Sequence, residues 1–308
     1  MVGIGIFPDG IKRGKRTFTF RLATGGPPRF GCTVEQSDRQ TYDRGMSEVV
    51  LPPLQASLDR RVLITSREMK LVDKTFTAAE ENIAFDEALL LAAERDGDEG
   101  GFLRIWEPTE WFVVIGRGSS LENEVDLERC GEDGIPVIRR SSGGAAIVAG
   151  PGCLFYAVVL SLKQYPELRF IDRAHAHVLS TLAEGLRSVV PQIERQGTSD
   201  LAVEGRKVSG NSLRCRKDHL LYHGTLLYDM PLEPLAHYLR LPPRQPEYRN
   251  QRSHRDFVAN LKLPRKVVYQ ALLSAWDHPE PLRAWPQCDM ENLVREKYAT
   301  HSWTAQIP

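Results

Sequence analysis

Asp200-Leu201-Ala202-Val203-Glu204-Gly205-Arg206-Lys207-Val208-Ser209-Gly210 reads as two short strands, 201–203 and 206–208, closed by the two-residue turn Glu204-Gly205. That spacing is the signature of a tight β-hairpin. Outward from it the chain keeps the same texture. Strand-like runs lie at 102–106, 111–115, 136–138, 154–160 and 220–228, mostly as neighbouring pairs. Helices flank them. Thr77-Ala78-Ala79-Glu80 matches a capping box that opens a helix running to about Arg95, with Ala84, Ala88 and Leu91 on one face and a stop before Gly97. Ile171, Val178, Leu182, Leu186 and Val189 recur at helical spacing, and 267–276 reads as a late helix. Paired strands with helices to cover them point to an α+β fold, a mixed or antiparallel sheet covered by helices, rather than a regular βαβ alternation.

Residues 1–68 lack such texture. They hold Gly3, Gly5, Gly10 and Gly14, a basic run (Lys12, Arg13, Lys15, Arg16), the breakers Gly25, Gly26, Pro27 and Pro28, and one short alternating run at 17–22. They read as a disordered or over-long N-terminal extension before a domain at 69–276, with a tail at 277–308. The 40 basic residues balance 40 acidic ones, so no basic excess points to nucleic acid. No apolar run approaches the roughly 18–20 residues that span a bilayer, so no membrane segment is expected. The five cysteines are scattered without a C-x-x-C pair, which excludes the usual zinc and disulfide patterns and makes a reduced, cytoplasmic compartment the expectation.

Three segments place a glycine-bearing loop and a basic residue at a strand end: Val114-Ile115-Gly116-Arg117, Ile138-Arg139-Arg140-Ser141-Ser142-Gly143-Gly144-Ala145-Ala146, and the hairpin itself. Glycines let the backbone approach a ligand, free amides donate, and guanidinium groups add charge in a forked geometry, a combination suited to phosphate and carboxylate oxygens. Neither G-x-x-x-x-G-K nor G-x-G-x-x-G occurs, so this is neither a Walker loop nor a dinucleotide fingerprint.

Taken in order, Arg139-Arg140-Ser141-Ser142-Gly143-Gly144, then Asp200-Leu201, then Gly205-Arg206-Lys207-Val208-Ser209-Gly210, then Tyr222-His223-Gly224-Thr225-Leu226-Leu227 resemble the catalytic domain of the lipoate–protein ligase family. The upstream Asn82, Asp86-Glu87-Ala88-Leu89 and the Gly116-Arg117 strand end are similar to that family as well, so the likeness runs from about Met69 to about Trp276. The resemblance implies the biotin/lipoate ligase fold, which is class II synthetase-like. It also implies an ATP-dependent two-step reaction. The acid and ATP form lipoyl-AMP, and a lysine of a carrier domain, of the 2-oxoacid dehydrogenase E2 or glycine-cleavage H type, then takes the lipoyl or octanoyl group.

By the same resemblance Lys207 is the catalytic cation, placed between phosphoryl and carbonyl oxygens. Arg139 and Arg140 would face the phosphates. Ser142, Gly143, Gly144 and Ala145 would close on the acyl chain or adenylate, beside Gly116 and Arg117. Asp200 would sit near the phosphates through Mg²⁺. Ser209 and Gly210 would follow the lysine in the pocket wall, and His223 would buttress the adenylate loop.

The chain departs from the family's usual pattern in places. Ala145 stands where a third glycine is usual, and Ala149-Gly150-Pro151-Gly152-Cys153 stands where a His-Asp pair is common. Gly-Pro-Gly there resembles an octanoyl-transferring branch that works through a cysteine thioester without ATP. In cysteine-using relatives the nucleophile precedes the hairpin, where this chain reads Gly197-Thr198-Ser199-Asp200. Cys215, flanked by Arg214, Arg216 and Lys217, would have a lowered pKa if exposed. Gly116-Arg117-Gly118-Ser119-Ser120 breaks off from the longer loop of biotin ligases. The expectation is therefore the ligase, with the thioester transferase as its alternative. A non-catalytic partner subunit, or a lipoyl-domain-binding member, is a further one. The tail, with Pro279, Pro281, Pro286 and a helical stretch at 290–298, is too short for a second core. It is expected to lie on the domain through Trp285, Tyr298 or Trp303; either this branch adenylates without the extra domain that many relatives carry, or a separate accessory subunit supplies it, the latter being the preferred expectation.

Overall fold

The computed structural model describes residues 69–306, together with two short strands, β1 (Phe7–Pro8) and β2 (Phe18–Thr19), that pair antiparallel. β2 falls within the run at 17–22; the expectation of disorder over the rest of 1–68 lies outside the described residues. The chain divides into two compact units, Met1–Arg61 and Val62–Pro308, and the elements below belong to the second.

At its centre is β8 (Cys153–Ser161), whose nine residues are all buried. Side chains alternate across a strand. Cys153, Phe155, Ala157 and Val159 therefore enter one core, and Leu154, Tyr156, Val158 and Leu160 the other. A strand covered on both faces has to be a continuous apolar run, which is how 154–160 reads. β12 (His219–Leu227) pairs antiparallel with β8 along its whole length, from Cys153↔Leu227 to Ser161↔His219.

Around this pair an eight-stranded sheet runs in the order β13-β3-β4-β8-β12-β11-β10-β9. Its members are β3 (Lys70–Asp73), β4 (Phe102–Trp106), β9 (Glu194–Gln196), β10 (Asp200–Val203), β11 (Arg206–Cys215) and β13 (Glu280–Pro281). The β13, β3 and β4 pairings are parallel and the remainder antiparallel. A second sheet orders β6 (Val137–Arg139), β5 (Phe112–Ile115) and β7 (Ile147–Ala149), parallel on one side of β5 and antiparallel on the other. The architecture is α+β with a mixed sheet.

On one face of the large sheet lie α4 (Ile171–Leu186) and α7 (Arg265–Ala275), through Val178, Leu182, Val268 and Leu272. The helical stripe on α4 differs from the sequence reading: Ile171 is 58% exposed, Val189 lies past the helix end, and Ala174 and Leu179 are buried in their place. On the other face lies α1 (Ala79–Asp96), which ends at Gly97 in the left-handed conformation. The capping box is not formed, because Ala78 is the N-cap and no side chain caps the helix. Asn82 ties down the entry instead, donating to the carbonyls of Phe76 and Ala78 and accepting from the Phe76 N–H.

Beyond α1 the chain closes with α8 (Gln287–Leu293), a π-helical turn at Val294–Tyr298, and α9 (His301–Thr304). Tyr298 is buried and Trp303 packs on the same core, whereas Trp285 is 37% exposed and is not an anchor. Glu87 of α1 accepts hydrogen bonds from Lys297 and Tyr298, both at 2.6 Å. Among the described residues no helix is long and apolar enough to cross a membrane.

Candidate active site

Because β5 and β6 run parallel, Gly116 and Arg140 leave the small sheet side by side. Gly116 meets the following loop so closely that a Cβ there would stand 1.9 Å from the Gly144 carbonyl oxygen. Gly144 itself has φ +90°, a conformation open mainly to glycine. Ala145 is exposed and outside the left-handed region, so its methyl is accommodated without strain.

Arg140 is buried and donates to Ser142 Oγ and to the carbonyls of Val114, Gly143 and Ala145. Burial pushes its pKa down to about 10. Arg139 is a correction to the sequence reading. It faces away from the cavity, donating to the carbonyls of Gly116, Arg117, Ser119, Thr304 and Gln306, while its own carbonyl accepts from Trp303 Nε1 at 2.7 Å. Where a loop turns several carbonyls inward, a guanidinium with five N–H donors is the one side chain that satisfies them together. Arg117, Ser142 and Gly143 border a separate open concavity with Arg214 and Cys215.

The hairpin carries the lysine. Glu204 and Gly205 adopt φ of 52° and 69°, the pair of left-handed residues that a type I′ turn requires. Leu201 pairs with Ser209 but Ala202 with Lys207, so Val208 is an inserted bulge residue. A bulge re-aims the neighbouring side chain. Lys207 folds across Gly210, where a Cβ would lie 2.8 Å from its Cε and Nζ. Its ammonium reaches Asp200 Oδ1 at 2.7 Å, and the other oxygen of Asp200 accepts from the Tyr248 hydroxyl at 2.8 Å. Ser209 is buried beside Asn211, whose Nδ2 donates to Ser209 Oγ and to the Ser199 carbonyl. Sequence reasoning missed Tyr248 and Asn211. Asn211 directly follows the motif, so its strand position was a usable signal; Tyr248 carries none.

A chain of hydrogen bonds crosses the opposite wall. Ser142 Oγ lies 2.6 Å from His223 Nε2, His223 Nδ1 lies 3.0 Å from Asp86 Oδ2, and Asp86 Oδ1 accepts from Arg104 Nη1 at 2.7 Å. Burial works to raise the Asp86 carboxyl, but the Arg104 guanidinium and His223 outweigh it and hold the group below its ordinary 3.8.

These walls enclose a cavity of about 370 Å³, lined by apolar Ile83, Val114, Ile147 and Phe155 and by Asp86 and His223. Arg140, Gly144, Ala145, Asp200, Lys207 and Gly210 also line it, whereas Gly116, Arg139, Ser142 and Ser209 do not. A second chamber of about 140 Å³, lined mostly by apolar side chains such as Leu227, Met230, Leu235, Leu239, Phe257 and Val258 and also by Arg240, Arg244 and Arg249, shares Lys207, Gly210 and Arg244 among other residues with the first. Lys207 stands at their junction.

Both oxygens of Asp200 carry a partner, Lys207 on one and Tyr248 on the other. Among the described residues no cluster of three or more His, Cys, Asp or Glu is arranged to hold a metal. Among the described residues no cysteine lines the cavity. Cys153 is buried and its thiol pushed far up by burial. The Cys215 thiol is also raised, by desolvation against the opposing Arg169, which corrects the expectation that its basic neighbours would lower it.

A family model described as the lipoyl protein ligase A/B catalytic domain matches residues 78–274. A probable lipoate-protein ligase A of Mycoplasma pneumoniae is 29% identical over 181 residues, 59% of this chain and 52% of that protein. The chain thus spans about half the length of that relative. The octanoyltransferase LipM of Geobacillus kaustophilus is 25% identical over 272 residues, 76% of this chain and 96% of that protein. Among solved structures, an archaeal lipoylation system of Thermoplasma acidophilum, a bipartite lipoate protein ligase and its E2 lipoyl domain, matches with a TM-score of 0.65 at 22% identity, covering 78% of this chain and 96% of that one. A lipoate-protein ligase A bound with ATP matches with a TM-score of 0.62 at 23% identity, covering 78% and 98%. At such identities the structural likeness speaks for the fold alone. The extent of the family match decides membership: this chain belongs to the lipoyl protein ligase A/B catalytic-domain family.

Proposed function

We propose that this chain is an ATP-dependent lipoate–protein ligase, which forms lipoyl-AMP and passes the lipoyl or octanoyl group to a lysine of a carrier domain. The supporting observation is the place of Lys207, at the junction of two largely apolar chambers, the smaller of which also carries Arg240, Arg244 and Arg249. In this reading the acyl chain lies against Ile83, Val114, Ile147 and Phe155, and the nucleotide takes the side of Arg240, Arg244 and Arg249. The acid's carboxylate attacks the α-phosphoryl group and pyrophosphate leaves. The carrier lysine then attacks the acyl carbonyl and AMP leaves. Both steps build negative charge on oxygens at the junction, where a fixed ammonium stabilises them more than it does the ground state. The carrier is proposed to be of the E2 or glycine-cleavage H type, in a reducing cytoplasm. The direct test is a mass gain on a carrier domain given enzyme, acid and ATP, together with ATP–pyrophosphate exchange. Absence of both would favour a non-catalytic family member.

The match to an octanoyltransferase keeps a thioester mechanism as the second reading. Thr198 and Ser199 stand in the cavity wall, and among the described residues no cysteine does. Cys153→Ser and Cys215→Ser are each expected to retain most activity, with no acyl-enzyme in the intact mass. An acyl adduct formed without ATP and abolished by either change would reverse the assignment.

We also propose that a separate accessory subunit helps to close the site, since adenylate chemistry needs water excluded. Pyrophosphate exchange is expected to be slow for this chain alone and to rise when such a subunit is added. Turnover near the ordinary ~10 s⁻¹ without it would rule the subunit out.

A further inference from the structure

The strap that follows α5 (Glu233–Tyr238) passes over both chambers, placing Arg244 and Pro246 in their walls. At its far end Tyr248 sits in a 3₁₀ turn, Glu247–Arg249. The Tyr248 ring packs on Phe257 at 5.0 Å between centroids, and the Arg252 guanidinium donates to the Tyr248 carbonyl at 2.7 Å and to the Gly205 carbonyl of the hairpin turn at 2.9 Å. Gly197, at φ +55°, allows the approach, since a Cβ there would meet Pro246 at 3.2 Å and the tyrosine ring at 3.4 Å. The strap thus fixes the tyrosine ring, and the hydroxyl donates to Asp200 Oδ2.

We propose that Tyr248 is a positioning residue for Lys207, acting through Asp200. Its hydroxyl holds one carboxylate oxygen, which presents the other to the lysine ammonium at the cavity junction. The bond has a second consequence, which rests on the ligase reading. When Lys207 turns from Asp200 to a developing oxyanion, a carboxylate only 5% exposed loses its cation. A buried charge left without a partner is expensive, and a remaining hydroxyl donor reduces that expense. Tyr248 therefore lowers the barrier to releasing the lysine, an effect confined to turnover rather than substrate binding.

Tyr248→Phe keeps the ring on Phe257 and removes only the hydroxyl. We expect kcat to fall about ten- to hundredfold, the scale of one hydrogen bond to a charged group. KM for ATP and for the acid should stay within about threefold and the melting temperature within a few degrees. In an Asp200→Asn background the same change should add nothing, because the two residues act as one unit. An unchanged kcat, a loss residing in KM, or an equal loss in the Asp200→Asn background would overturn the proposal. A second readout stands apart from the ligase assignment: amine acylation of Lys207 by acetic anhydride, mapped by peptide mass. Tyr248→Phe should lower labelling at Lys207 several-fold relative to wild type, because a carboxylate deprived of its hydroxyl donor holds the ammonium more tightly, and leave other lysines unchanged. Unchanged labelling at Lys207 would sink the proposal even if the wild-type chain shows no ligase turnover. No turnover with the expected labelling change would count against the ligase reading alone.

Discussion

Lys207→Ala is expected to lower the rate of carrier acylation by about 10²–10³, the usual consequence of removing one preorganised donor from a developing oxyanion. The reason lies in how many independent features converge on this one side chain. A type I′ turn ends the hairpin, an inserted Val208 turns the strand, and the missing side chain of Gly210 leaves the ammonium room to cross into the cavity. Once the ammonium is gone, Asp200 keeps only its Tyr248 partner, and the junction of the two chambers holds an uncompensated carboxylate. Repulsion between that carboxylate and phosphate oxygens adds to the lost stabilisation. The measurement is initial-rate mass gain on the carrier, with pyrophosphate exchange measured in parallel. Both should fall, because both steps are proposed to pass through the same cation. If acylation falls but exchange is intact, Lys207 serves the transfer step alone. If neither changes by as much as threefold, the ligase assignment fails.

The largest effect on stability is expected from Asp86→Ala. Arg104 is fully buried on β4, and Asp86 is the carboxylate that neutralises it, with the Lys74 and Asn82 carbonyls taking other N–H groups. Its guanidinium is flanked by the Phe85 and Trp106 rings at 4.8 and 4.9 Å, so water has no easy access. Removing one partner of such a pair strands the other charge, at about 3–5 kcal/mol. For a domain of this size that corresponds to a melting point lower by about 6–20 °C. The pair Arg104→Met with Asp86→Leu should recover much of the loss, since no buried charge remains.

The same carboxylate sets the acid limb. Its folded pKa lies below the ordinary 3.8, so its contribution is complete above that value and disappears as pH falls through the lower folded value. Glu87 behaves alike: burial raises its pKa, Lys297 and Tyr298 outweigh burial, and the net shift is below 4.5. The Asp86 and Glu87 contributions should therefore be flat from pH 7 to about 5 and be lost only in stronger acid, with a shallower acid fall in Asp86→Ala. A melting point for Asp86→Ala within about 2 °C of wild type would show that Arg104 is satisfied by carbonyls alone.

The sequence by itself determined those parts of the molecule that depend on neighbours in the chain. Glu204-Gly205 between two short strands could close only as a tight hairpin, the apolar run at 154–160 could be covered only on both faces, and Gly97 stops α1. The order of the motifs identified the family for the same reason, because each motif is a local loop whose glycines and basic residues serve one turn of backbone. Tertiary structure decided what those side chains do. Arg139 and Arg140 are adjacent and chemically identical, yet one meets carbonyls 165 and 167 residues away in the tail while the other lines the cavity. Asn82 took over the helix entry from Thr77, and Tyr248 reached Asp200 across 48 residues. The physical reason is common to all three: a hydrogen bond needs a partner within about 3 Å at a suitable angle. Which donor and acceptor the fold brings that close is a property of the packed sheet and strap, and no periodicity along the chain carries it.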